Sequence, residues 1–279
     1  TPTSRVDQAD PVTYMRMQNE AIKTRDPLGL ALYSQEKITM TERGLYPDIF
    51  PSTDWYSTMF KDLTMNQRAN ISVSGGGTVG RYSLPHRSMQ NFSFGNIINN
   101  LYKSKFGIDI KTLNINLMKY TIRSNVNVNL TKTTELVLRM SAAFDDYSGP
   151  IGGGSGMYTH VMQANPVLFK PYYEPDEKYA HANHILFGNY GSANYVNPYA
   201  QALRGYNEYS KNTMLTQFVL NQDLKMITEG LTASVLVNMD RYSEYSVNRA
   251  YKPFYYSIGS YDLQANSYKL NRLNPNDGT

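Results

Sequence analysis

Tyrosine is the residue type with the most chemistry to offer in this chain: 24 of 279 residues are Tyr, against 10 Phe and one Trp. They crowd between Tyr147 and Asn212, where Tyr158, Tyr172, Tyr173, Tyr190 and Tyr195 are the candidates for ligand contact. Sugar rings lay their C–H faces on aromatic rings and give their hydroxyls to Asn and Asp. Binding residues also concentrate on loops held by a rigid scaffold. The same tyrosines would serve equally well to pack a large loop or to line a membrane surface as an aromatic girdle.

Other reactive groups are thinly spread. His181 and His184 stand three apart, a spacing that puts two metal ligands on one helical face. With no Cys and no fitting carboxylate cluster nearby, a solvated loop is the plainer expectation. Gly75–Gly77 and Gly152–Gly156 lack the Lys-Ser/Thr ending of a phosphate loop and read as a turn and a flexible loop. Asp145 and Asp146 are adjacent, so in a strand they point to opposite faces and cannot act as a pair. No Ser-His-Asp arrangement is supported, and the expectation is a protein that is not an enzyme and needs neither cofactor nor metal. The net charge of +4, from 27 basic and 23 acidic residues, is too small to indicate nucleic acid. The absence of Cys excludes disulfide scaffolds and thiol chemistry.

The elements that would position these residues are mostly strands. Asp10 as N-cap and Pro11 at the first helical position start one helix, which runs to about Arg25. Residues 27 to 53 read as irregular, and a short helix is expected over Asp54 to Phe60. From residue 67 the hydrophobic period is two. Ile122, Ser124, Val126, Val128 and Leu130 fall on one face, and Arg123, Asn125, Asn127 and Asn129 on the other. Leu136, Leu138, Met140, Ala142 and Phe144 repeat the pattern after a turn at Thr131–Thr134. A second hairpin carries Met214, Thr216, Phe218 and Leu220, then Val235, Val237 and Met239 opposite Asn238. Strands of about eleven residues exceed the usual five or six and match a bilayer crossing. Short turns at one end and a long connection at the other are the outer-membrane barrel pattern. Only a closed barrel pairs every strand N–H and C=O in hydrocarbon. A half-buried soluble sheet also alternates and remains the alternative. No run of eighteen apolar residues is present.

The order of motifs points further. Pro51-Ser52-Thr53-Asp54-Trp55-Tyr56 is followed by Gln67-Arg68-Ala69-Asn70-Ile71-Ser72-Val73-Ser74-Gly75-Gly76. Lys119-Tyr120-Thr121-Ile122-Arg123-Ser124-Asn125-Val126 comes next, then Asn221-Gln222-Asp223-Leu224 and Thr228-Glu229-Gly230-Leu231. Asn19-Glu20-Ala21 fits as well. From about residue 10 onward the chain resembles the SusC/RagA family of TonB-dependent outer-membrane transporters of Bacteroidetes.

The resemblance implies an all-β fold, an antiparallel transmembrane β-barrel of about 22 strands closed by a plug. This chain would be an internal fragment of it, with the signal peptide, TonB box and plug upstream of Thr1. Residues 1–66 would be an early barrel loop region with a short helix, and 67–146 the first barrel strands. Residues 147–212 would be a long extracellular loop, and 213–279 further strands and an extracellular hairpin. Arg123, Asn125, Asn127, Asn129 and Asn238 would face the barrel lumen. The implied function is non-catalytic import of oligosaccharides, or of a peptide, across the bacterial outer membrane. The implied partners are a SusD-like lipoprotein, the TonB-ExbB-ExbD complex, the glycan and outer-membrane lipid, with no nucleic acid. The competing reading is a soluble or surface-attached β-rich carbohydrate-binding module. Residues 83–110 depart from the family pattern: Ser83-Leu84-Pro85-His86 does not alternate, Pro85 would interrupt a central strand, and the stretch reads as a frameshift or a divergent strand.

Overall fold

The computed structural model describes residues 8–60, 67–77, 80–90 and 115–274. Its largest element is an antiparallel sheet of six strands in the order β1 (Gln67–Gly76), β2 (Gly80–Gln90), β3 (Asn116–Asn129), β4 (Thr134–Pro150), β7 (Gly205–Asp223) and β8 (Thr232–Ala250). The last two have 19 residues each. Among the described residues the sheet is open, with β1 and β8 at its edges.

All three tight turns lie at one end of the sheet. At the β1–β2 turn the Gly77 amide donates to the Gly80 carbonyl. At the β3–β4 turn Leu130 N–H donates to Thr134 O, and the Thr131 hydroxyl donates to that of Thr134 at 2.7 Å. The β7–β8 turn closes by Leu224 N–H to Leu231 O, with Gly230 at φ +80°, which a side chain would strain.

The registers put the alternating residues into continuous rows. Val126, Leu138, Phe218 and Val237 are direct cross-strand neighbours, as are Val128, Leu136, Leu220 and Val235. On the reverse face Asn125, Arg139, Gln217 and Asn238 form the equivalent row. A one-residue slip in any strand would exchange the faces, so this agreement across four strands specifies the register.

The hydrophobic core lies beyond the end of the sheet opposite the turns. Three helices precede the sheet: α1 (Pro11–Arg25), α2 (Gln35–Glu42) and α3 (Trp55–Met59). They pack on the β4–β7 connection, which holds α4 (Gly153–Gln163), β5 (Tyr172–Tyr173), β6 (Leu186–Gly188) and α5 (Pro198–Leu203). Trp55 and Met59 of α3 pack with Met157 and Val161 of α4, Phe169, Phe187, and Tyr199, Ala200, Ala202 and Leu203 of α5. Met15, Tyr33, Ile38 and Val167 form a second cluster. β9 (Tyr255–Asp262) and β10 (Ser267–Arg272) join β6 and β5 in a four-stranded sheet ordered β10-β9-β6-β5. Tyr173, Leu186, Tyr256 and Leu270 pack there. Together these segments make a cap on one end of the sheet.

Polar knots tie the cap's distant segments together. Trp55 Nε1 donates to Asn165 O at 2.9 Å, and Thr53 N–H donates to Pro166 O. Asn165 Nδ2 donates to the hydroxyls of Tyr14 and Tyr33, while its Oδ1 accepts from the amides of Val167 and Leu168. Asn19 bonds both the N–H and the C=O of Tyr33. Gly188 passes so close to Lys170 that a Cβ there would lie 2.0 Å from the Lys170 carbonyl oxygen.

The fold is predominantly antiparallel β; helix α3 falls within the short helix expected over Asp54 to Phe60, and there is more helix than the two short N-terminal ones expected. Helix α2 lies inside the stretch read as irregular, started by the Ser34 hydroxyl accepting from Lys37 N–H. β4 runs on to Pro150 and β7 begins at Gly205, so the connection read as 147–212 is 151–204, and it is folded. The stretch questioned from residue 83 continues as strand β2 to Gln90, with Pro85 opposite Ser72. Pairing of β2 with β3 lapses at Leu84 and Pro85, consistent with a proline that has no N–H to give. Residues 91–114 lie outside the described residues.

Candidate functional site

Two regions bring functional side chains together: the polar face of the large sheet, and the cap. On the polar face Arg123, Asn125, Asn127, Asn129 and Asn238 share one side, as the alternation requires. Their neighbours bond across strands. Arg139 donates to Gln217 Oε1 at 2.6 Å, and Gln217 Nε2 donates to Asn238 Oδ1. Glu135 accepts from Asn127 at 3.3 Å and from Asn221 at 3.2 Å, and Ser234 donates to Asn221. Nearer the cap the charges alternate in sign along one row: Lys119 pairs with Asp145 at 2.8 Å, and Lys211 with Glu244 at 3.0 Å. Beside this row Tyr147 and Tyr209 stack with ring centroids 5.0 Å apart. A row of Val137, Val219 and Leu236 interrupts the polar residues, and Val137 is buried. Hollows of about 670 and 330 Å³ open against this face, the first near Glu135 and Asn221, the second near Arg123, Arg139 and Asn238.

The five predicted tyrosines do not converge. Tyr173 is a core residue, 4% exposed, edge-on to Tyr268, and burial drives its hydroxyl well above the usual tyrosine range. It cannot meet a ligand from solvent, so that assignment is corrected. Tyr172 is half-buried against Tyr199. Tyr158 is exposed on α4, with its ring 6.4 Å from that of Phe60. Only Tyr190 and Tyr195 come together as an exposed pair, edge to face at 6.2 Å. Asn189 fixes their loop: its Oδ1 accepts from both tyrosine amides and its Nδ2 donates to Tyr195 O.

His184 and His160 pack within the cap. His184 Nε2 lies 2.9 Å from the Tyr256 hydroxyl and the ring packs on Phe254, and burial lowers its pKa. His160 is also lowered by burial, next to Arg204. Among the described residues no group of three or more His, Asp and Glu stands close enough to hold a metal.

A cleft of about 580 Å³ lies where α1, the segment Ser52–Tyr56 and the end of α4 meet. Tyr14, Trp55, Tyr56, Asp10 and Asp54 line it. Sequence reading did not single this place out as a site, because Asp10 reads as a helix cap, Asp54 as the start of a short helix, and Asp54 and Trp55 as parts of a motif. Both aspartates do cap their helices. The available signal was the Asp54-Trp55-Tyr56 run itself, three residue types common in sugar sites. The chain matches no family model and no curated protein sequence.

Proposed function

We propose that this chain forms part of an outer-membrane β-barrel that imports oligosaccharides without chemistry on them, as the resemblance to SusC/RagA transporters implies. One observation carries the reading: the six-stranded sheet has a continuous apolar face that no described residue covers. Val235 is 60% exposed, Met239 62% and Val237 49%, while the reverse face is cross-linked by polar side chains. A soluble sheet would bury its apolar face against a second layer.

The dimensions suit a bilayer. From Tyr120 to Leu130 a strand rises roughly 34 Å, or about 24 Å along the normal when tilted near 45°, close to the roughly 25 Å apolar band of such barrels. Tyr120, Phe144 and Tyr245 stand near its cap-side margin on the same face, as an interfacial girdle would. Arg241, also on this face, stands near that margin, where its long side chain reaches the headgroups. The open edges of β1 and β8 would pair with further strands. In this arrangement the tight turns are periplasmic, the cap is extracellular, and Arg123, Asn125, Asn127, Asn129 and Asn238 border the lumen or its plug. A SusD-like lipoprotein would close over the cap, and TonB with ExbB and ExbD would supply the pull.

The test is import. Cells lacking the gene should lose uptake of one class of oligosaccharide and regain it with the intact gene. Uptake that survives deletion of the gene, or a protein recovered in the soluble fraction, would refute the transport reading.

A further inference from the structure

We propose that a diagonal stripe of arginines across the polar face of the large sheet is a binding track for acidic oligosaccharide. The stripe takes one arginine from each of four successive strands: Arg68 of β1, Arg87 of β2, Arg123 of β3 and Arg139 of β4. Arg68 stands opposite Met89, which stands opposite Lys119; Arg87 stands opposite Thr121, and Arg139 opposite Asn125. Lys119, Thr121, Arg123 and Asn125 alternate along one face of β3. Each arginine therefore lies on the same face, one row nearer the tight turns than the last. Diagonal neighbours of this kind are about 7–8 Å apart. A chain of linked anions laid along the stripe meets several of them in turn.

The surroundings leave this charge to a ligand. Strands β1, β2 and β3 contain no Asp or Glu. The carboxylates that β4 brings to this face are engaged: Asp145 pairs with Lys119 at 2.8 Å, and Glu135 accepts from Asn127 and Asn221. Arg139 donates to Gln217, a neutral acceptor, and so keeps its full charge. Arg123 and Arg139 are exposed, and the hollow of about 330 Å³ opens against both, with Asn125 and Ser141 between them. Asp240 marks its far side, three strands from Arg123, which is roughly 14 Å at the usual strand spacing. An anion in the hollow is therefore drawn to the β3–β4 side.

Guanidinium forks match carboxylate and sulfate groups with paired hydrogen bonds. Asn70, Thr121, Asn125, Ser141 and Asn238 share the face and offer amides and hydroxyls to sugar hydroxyls. The saccharide class rests on the transport reading; the negative charge rests on the stripe. The detergent-solubilised protein is titrated calorimetrically with oligogalacturonides of one to four units, their methyl esters, a sulfated galactan tetrasaccharide and tetraglutamate. The acidic saccharides should bind, the longest oligogalacturonide tighter than the shorter ones, and more weakly as salt is raised. The methyl esters keep the sugar but lose the charge and should not bind measurably. Arg123→Ala and Arg139→Ala should each weaken the tetramer about tenfold, with Arg123→Lys in between and Arg123→Glu abolishing binding. Lys225→Gln removes a positive charge in the β7–β8 turn, away from the stripe, and should bind as wild type does. Whichever of the carboxylate and sulfate chains binds tighter names the anionic group.

Equal binding of acids and methyl esters, no binding of either acidic saccharide, preference for tetraglutamate, or equal losses in Lys225→Gln and Arg123→Ala would each overturn the track. The two readings fail differently. Import that persists in a protein that binds no acidic saccharide removes the track and spares the transporter. Arginine-dependent binding by a protein that never enters a membrane removes the transporter and spares the track.

Discussion

The cap and the sheet of this protein are stabilised by opposite means. The cap buries Trp55, Phe169, Phe187, Tyr199 and Tyr256 almost completely and ties its segments with buried Asn165, Asn189 and Asn197. Among the described residues the large sheet buries almost none of its apolar side chains, and it relies on long backbone ladders and cross-strand polar rows. The cap is organised as proteins are in water. The sheet is organised as though a solvent for its apolar face were supplied from outside. Changes of core volume should therefore damage the cap, and changes of charge on one face should damage the sheet.

The largest effect is expected from emptying the cap's core. Trp55→Ala should cost about 3–5 kcal/mol. Hydrogen exchange should show the loss in residues 8–60 and 151–204, with the β7–β8 ladder still protected. Next is Val235→Arg or Val128→Arg, which should cost about 2–4 kcal/mol in refolding titrations with lipid vesicles. Asn127→Arg should cost much less, because Glu135 already accepts from Asn127 and would pair with the new guanidinium. Equal costs at positions 127 and 128 would erase the distinction between the faces.

Asn165→Ala should cost about 1–3 kcal/mol, since it strands the amides of Val167 and Leu168 and loosens Tyr14 and Tyr33 together. The smallest effect depends on pH. Burial lowers Lys37, which lies 5.6 Å from the Tyr33 ring, to about 8. A lysine with a depressed folded pKa destabilises below that value and is relieved as pH rises toward its unfolded value near 10.5. Lys37→Met should thus stabilise the cap at pH 7 and lose most of that advantage by pH 10, as read by its melting temperature.

What the sequence disclosed follows the range of the forces involved. Helix α1 was legible because Asp10 and Pro11 act within one turn, and the strands were legible because alternation is local. Helix α2 was not, since Gln35–Glu42 offers only a weak apolar pattern between Gly- and Pro-rich neighbours. The cap as a unit was invisible, because it is built from contacts such as Trp55 with Asn165, 110 residues apart. Tyr173 was misassigned for the same reason: a tyrosine's role depends on what packs over it. The five lumen candidates share one face because a period of two leaves a strand residue few options.

The most direct test uses the absence of cysteine, which makes single Cys probes clean. Cys is placed in turn at Leu236, Val237, Asn238 and Met239 of β8, and at Leu28 in the cap, which is 93% exposed. In intact cells a membrane-impermeant thiol reagent should label Leu28→Cys. In vesicles, fluorophores at positions 237 and 239 should be quenched by brominated lipid, and those at 236 and 238 by an aqueous quencher. That period of two would place the apolar face against lipid. Equal aqueous quenching at all four positions would contradict it and leave a water-soluble sheet.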